Sequence, residues 1–143
     1  MAHRMKLSAP YKGMTHIWNI DRSVGTETSE ANVATDVRLV SLMTHCMWSI
    51  PGAGSAMAPG CRVVTPVGDS MNQSLGFMIY YMQVEQQKPA DGVASPVPKW
   101  ASDQYLVFRM NYILFNSIKG VWETLPDHPQ CGAALKAELA ILK

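Results

Sequence analysis

The sequence predicts a mainly α fold of three to four helices, with long loops and an extended N-terminal arm. Apolar residues recur at intervals of three and four within 33–47, 75–86, 105–118 and 132–142, which is the spacing of a buried helix face. Stretches rich in Gly, Pro and Ser separate them at 52–68 and 89–98. The alternating strand and helix patterns of a parallel sheet do not occur.

The chain is predicted to divide into an arm, residues 1–22, and a helical domain, residues 23–143. β-branched and aromatic residues alternate at 16–20 within the arm, which predicts a short strand anchored by Ile17 and Trp18. Two placements stay open: the arm reaches a neighbouring molecule, or it folds back onto its own domain.

The first helix is predicted to begin after Asn32, whose side-chain oxygen can cap the free N–H groups of the first turn. Asp36 follows in that turn, where the helix dipole favours a carboxylate. The helix is expected to end before Pro51. Its apolar face is so broad that we expect burial on more than one side.

Three further helices are predicted, each with a start signal or an inward face. Asp69 or Ser70 is the expected cap of the second, and Ser102 or Asp103 the expected start of the third. The expected inward residues are Leu75, Met78, Ile79 and Met82 in the second, Leu106, Met110, Ile113 and Ile118 in the third, and Leu135, Leu139 and Leu142 in the last.

The charge balance limits the classes of partner. The formal net charge is +1, from 12 Lys and Arg against 11 Asp and Glu, which gives no electrostatic case for nucleic acid or an anionic membrane. So small a charge leaves little self-repulsion, which permits homo-oligomers or association with other subunits. We expect no membrane insertion. The apolar run of an export signal does not follow the basic residues near the N-terminus, so synthesis in the cytoplasm is expected.

Catalytic and metal motifs are lacking in the sequence. Its four histidines do not have the HxxxH or HExxH spacing of a zinc site, and its three cysteines do not form CxxC. His45 and Cys46 are adjacent on a helix and point about 100° apart, which disfavours a catalytic pair. Whether Cys61 and Cys131 pair is left open. We expect no enzyme activity, no metal and no cofactor.

Sugar-binding sites combine aromatic faces with hydrogen-bonding groups, and candidates for both cluster around a predicted Asp-Gly turn. For Tyr81 a core position is the favoured alternative, and for Trp100, which follows prolines, exposure and burial stay open. The candidates are Arg62, Tyr81, Asp91, Gly92, Trp100 and Tyr105.

The order of these motifs resembles the peptidoglycan-binding-domain-like family of small helical modules. Residues 36–42, DVRLVSL, are similar to that family's opening helix, and 81–83, YMQ, stand where it has an FQ-type ending. Gly68-Asp69 and Asp91-Gly92 stand where it has two Asp-Gly turns, the first with its letters reversed. The resemblance covers roughly residues 23–114.

The resemblance implies a non-enzymatic module that binds peptidoglycan in the bacterial cell wall. Members also occur in phage particles and secretion machines, so the hypothesis includes a phage or contractile injection particle as the setting. The alternative is a structural or adaptor subunit that uses the same fold for protein–protein assembly. The long loop 52–68 and the apolar third helix favour that alternative.

Overall fold

The computed structural model describes residues 1–25, 32–50, 67–85, 90–100 and 103–143. Its elements are β1 (His3–Tyr11), β2 (Met14–Asn19), β3 (Val24–Gly25), α1 (Ala34–Met47), α2 (Gln73–Glu85), β4 (Val93–Ala94), α3 (Leu106–Ser117), α4 (Lys119–Glu123), a 3₁₀ turn (Leu125–Asp127) and α5 (Ala133–Leu139). Strands β1 and β2 pair antiparallel, as do β3 and β4.

The prediction of a mainly α fold of three to four helices is wrong, because the described residues form a mixed α/β fold with five helices, about 47% helix and 17% strand. The difference lies mainly in the N-terminal segment. His3, Met5 and Leu7 are buried in alternation along β1. Lys12 and Gly13 both have positive φ, as a two-residue hairpin turn requires.

The N-terminal segment folds back onto its own domain. Met14, Ile17 and Trp18 of β2 are buried in the same apolar core as the helices. The C-terminal residues extend the sheet on the other side of β1, where Leu142 forms a parallel bridge with Arg4. Leu142 lies beyond the last helix and is 53% exposed, so its predicted inward position on that helix is wrong.

Helix α1 is the centre of the fold. Its buried residues include Val37, Leu39, Val40, Leu42, Met43 and Cys46, so the predicted burial on more than one side is confirmed. The predicted cap is wrong. The helix begins after Val33, and the side chain of Asn32 instead exchanges hydrogen bonds with the backbone N–H and C=O of Gly25.

The other helices keep much of their predicted inward faces but begin elsewhere. Leu75 and Met78 on α2 and Leu106 and Met110 on α3 are buried. Asn72 caps α2, since its Oδ1 accepts from the backbone N–H of Leu75 at 2.8 Å, so the predicted caps at 69 and 70 are wrong. The predicted loop 52–68 lies outside the described residues up to 66.

None of the helices in the described part of the chain combines the length and the apolar character needed to cross a bilayer.

Asp36 is fully buried in the first turn of α1, where it accepts a hydrogen bond from the backbone N–H of Arg22 at 3.0 Å. Burial raises the pKa of its carboxyl above the usual 3.8, in spite of the hydrogen bonds that lower it. Between the two pKa values the folded state binds more protons than the unfolded state. The free energy of unfolding therefore falls as the pH rises through that window.

We expect Asp36→Asn to gain stability relative to the wild type as the pH is raised from 3 to 7. Urea unfolding at several pH values measures this. Asp21→Asn is the control of opposite sign: burial works to raise the pKa of Asp21, but the Lys143 ammonium and neighbouring charges hold it below its usual value. That variant is expected to lose stability relative to the wild type over the same range. Parallel pH profiles for Asp36→Asn and the wild type would contradict the assignment.

Candidate functional site

A cleft lies between the second half of β1 and the segment before α3. Its volume is about 230 Å³, which is below the roughly 300–1,000 Å³ of sites for drug-sized ligands. Its lining residues are Leu7, Ser8, Ala9, Pro10, Tyr11, Lys99, Trp100 and Phe108. A cleft of this size suits one small ring-shaped unit of a longer ligand.

An irregularity in the β1–β2 pairing forms one wall of the cleft. The register pairs Lys6 with His16 and Tyr11 with Met14, so β1 advances five residues while β2 advances two. The additional residues of β1 leave the regular ladder, as in a β-bulge. Residues 7–10, which belong to this irregular part, therefore line the cleft.

Hydrogen bonds to the hairpin position the opposite wall. The side chain of Asn19 accepts from the N–H of Val97 at 3.0 Å and donates to its C=O at 2.8 Å, so it binds that segment as a neighbouring strand would. Two residues after Val97, the C=O of Lys99 accepts a hydrogen bond from the hydroxyl of Ser8 at 2.9 Å. Trp100 thus leaves a backbone that is held on the hairpin.

Trp100 is the most exposed large hydrophobic side chain of the described residues, at 73%. Tryptophan is on average highly buried in folded proteins, so an exposed indole beside a cleft is informative. The ring of Tyr105 meets Trp100 edge to face, with centroids 6.5 Å apart. Of the aromatic candidates from the sequence, Trp100 lines the cleft and Tyr105 lies against it.

A polar network adjoins the aromatic pair. The hydroxyl of Tyr11 donates to a carboxylate oxygen of Asp103 at 3.2 Å, and Nη1 of Arg109 lies 3.6 Å from the same oxygen. Asp103 is thereby held across 92 residues of sequence instead of capping α3, so the predicted helix start is wrong. Helix α3 begins after Tyr105, without a side-chain cap.

The predicted Asp-Gly turn forms a second, separate group. Gly92 has φ of +75°, which glycine adopts readily, and Asp91 Oδ1 accepts from the N–H of Val93 at 2.9 Å. Gln83, near the end of α2, accepts from the N–H of Gly92 and donates to Asp91 and to the C=O of Val93. These bonds give the turn a structural role.

The remaining candidates lie apart from the cleft. Tyr81 is half-buried on α2, where its ring contacts those of Phe77 and Tyr80. Within the described residues, hydrogen bonds, ion pairs and ring contacts do not join Tyr81 or the Asp91-Gly92 turn to Trp100. Arg62 lies outside the described residues.

Sequence reasoning missed Ser8, Tyr11 and Lys99 as site residues. Each is an ordinary surface residue type, and their grouping depends on contacts between segments about 90 residues apart. The one local signal is Pro10, which cannot donate to a strand ladder and often stands at a bulge.

Nucleophile and metal chemistry find little support in the described residues. Burial raises the pKa of the Cys46 thiol to about 11, so it is protonated at neutral pH and is a poor nucleophile. The described ranges hold no group of three or more His, Cys, Asp or Glu side chains placed to bind a metal ion.

No family model, no curated protein and no solved structure matches this chain.

Proposed function

We propose that this chain is a non-enzymatic binding module that holds a cell-wall glycan, with peptidoglycan as the expected polymer, in the cleft beside Trp100. The observation that carries the proposal is the exposed indole of Trp100 at the edge of a cleft of about 230 Å³. The face of an aromatic ring carries partial negative charge and attracts the weakly positive C–H groups on one face of a sugar ring.

The surroundings of Trp100 support a polar ring-shaped ligand. Tyr105 contacts the indole edge to face and restricts its orientation, so the indole loses less side-chain freedom on binding. The hydroxyl of Tyr11 and the carboxylate of Asp103, which is 46% exposed, provide polar groups near the apolar floor. Aromatic surface with a few fixed polar groups is the usual composition of small-molecule sites.

The test is co-sedimentation of the purified protein with insoluble peptidoglycan sacculi. Trp100→Ala is expected to weaken binding by about thirtyfold, which corresponds to about 2 kcal/mol for an aromatic hot spot. Phe77→Ala is the matched control, because Phe77 is an aromatic residue of α2 that is 49% exposed. It is expected to bind like the wild type. Equal binding by Trp100→Ala and the wild type would exclude this cleft as the glycan site.

A second candidate function, a structural subunit of a phage or injection particle, is favoured by the outer face of α2. Phe77, Tyr80 and Val84 follow each other at helical spacing there and are 43–50% exposed. Exposed apolar side chains grouped in this way are typical of protein–protein contacts. Light scattering of the same samples distinguishes the two functions. The structural role is supported if the protein does not bind sacculi, forms multimers, and becomes monomeric in the Phe77→Ala variant.

A further inference from the structure

Two lysines without carboxylate partners flank the cleft. Lys99 lines it directly, and Lys12 follows Tyr11 in the hairpin turn, with its Nζ 5.4 Å from the centroid of the Tyr11 ring and 5.2 Å from that of Tyr112. Within the described residues neither ammonium lies within ion-pair distance of an acidic group. Both charges are therefore available to a ligand.

Asp103, an acidic group beside the cleft, is largely neutralised. The Asp103 carboxylate pairs with Arg109 and accepts a hydrogen bond from Tyr11. When Asp103 and Arg109 are counted as one neutral pair, the charges of Lys99 in the cleft lining and of Lys12 next to Tyr11 remain as two further positive charges. The whole chain carries only +1, so this excess is a local feature of the cleft.

We infer that the cleft selects a glycan strand that carries free carboxylates over the same strand without them. This inference rests on the proposed function, and its occupant is peptidoglycan whose stem-peptide carboxylates are ionised. One sugar ring packs on Trp100, and a carboxylate beside that ring pairs with Lys99 or Lys12. The charge complementarity sets the preference, while the indole supplies the affinity that both forms of the strand share.

The experiment compares native sacculi with sacculi whose carboxyl groups have been converted to amides by a carbodiimide and ammonia. The double variant Lys12→Gln/Lys99→Gln is expected to bind native sacculi about three- to tenfold more weakly, as two exposed ion pairs allow. Its binding to amidated sacculi is expected to equal that of the wild type. The variant with arginine at both positions keeps the charges and should bind like the wild type.

A matched control carries the same change of charge elsewhere. Lys119→Gln/Lys136→Gln removes two exposed ammonium groups from α4 and α5, away from the cleft lining, and should leave binding unchanged. Raising the salt concentration from 0.05 to 0.5 M should weaken binding to native sacculi more than to amidated sacculi. Circular dichroism melting verifies that every variant is folded.

The outcomes separate the inference from the proposed function. If Trp100→Ala weakens binding to both kinds of sacculi while the Lys12/Lys99 glutamine variant binds both like the wild type, the charge selectivity is overturned and the glycan site stands. If binding to native sacculi is insensitive to Trp100→Ala, the proposed function itself fails. The inference is supported if the glutamine variant binds native sacculi more weakly than the wild type does but binds amidated sacculi equally well.

Discussion

Asn111→Leu is expected to lower the free energy of unfolding by roughly 3–5 kcal/mol, among the largest effects of any single substitution in this chain. Asn111 is fully buried on α3. Its Oδ1 accepts from the backbone N–H of Trp18 at 2.8 Å and from the indole N–H of Trp122 at 3.0 Å. Its Nδ2 donates to the C=O of Trp18 and of Val107, both at 2.8 Å.

The size of the effect follows from what the leucine would leave behind. Leucine fills a similar volume, but it orphans the N–H and C=O of Trp18 on β2 and the indole N–H of Trp122. Each buried polar group without a partner costs about 1–3 kcal/mol. The measurement is urea unfolding followed by tryptophan fluorescence, and the melting temperature should fall by about 10–15 °C.

Two further variants test the mechanism at Asn111. Asn116→Leu makes the same change on the same helix at an exposed position and should stay within about 0.5 kcal/mol of the wild type. Asn111→Asp keeps an acceptor and loses the amide donor, so it should be strongly destabilised at pH 7 and recover part of the loss at low pH, where the acid can donate. Equal stability of the two leucine variants would refute the network.

Asn111 belongs to a set of buried or half-buried amides that take the place of a neighbouring strand. Asn19 binds the N–H and C=O of Val97, and Asn32 binds those of Gly25. Gln83 does the same across two residues, with the N–H of Gly92 and the C=O of Val93. An amide side chain carries its donor and its acceptor on two separate atoms, as a peptide group does, so it can satisfy both the N–H and the C=O of a backbone that has no strand beside it.

These amides explain which parts of the fold the sequence could predict. The inward faces of α1, α2 and α3 were predicted because apolar spacing is local information. The cap at Asn32 was predicted wrongly because its amide has both a donor and an acceptor satisfied at Gly25, outside the helix. A helix N-terminus would have used only the acceptor, and the sequence around Asn32 does not show that competition.

The site was predictable to a similar degree. Trp100 and Tyr105 were candidates because both lie close in sequence to the Asp-Gly turn. Trp100 does line the cleft, and the ring of Tyr105 contacts it. The other wall was not predictable, since it depends on the irregular register of β1 and on a hairpin whose first strand was interpreted as an arm. Its alternation of His3, Met5 and Leu7 with charged residues was present, but polar residues that are buried weaken that pattern.

Gly25→Ala is expected to destabilise the protein by about 2–3 kcal/mol, although the same change at an open site normally stabilises. A Cβ at Gly25 would lie 2.7 Å from the carbonyl oxygen of Gly92 and 2.9 Å from the Cα of Val93. Both are backbone atoms, so relief requires β3 and β4 to separate. That separation would disturb the backbone bonds of Asn32 and of Gln83, which hold the two strands from either side.

Gly120→Ala provides the matched control. Gly120 is the second residue of α4, and apart from its chain neighbours and the backbone of its own helix, a Cβ there would meet no described atom within 4 Å. Alanine is favoured over glycine in a helix by about 1 kcal/mol, so this variant should gain up to that amount. The two substitutions reduce the freedom of the unfolded chain equally, so the difference between their unfolding free energies, about 2–4 kcal/mol, isolates the folded-state contact and the helix term. A difference below about 1 kcal/mol would mean that the backbones of β3 and β4 are not in close contact. The Asp91-Gly92 turn would then owe its conformation to Gln83 and its own Asx bond instead of to the strand pair.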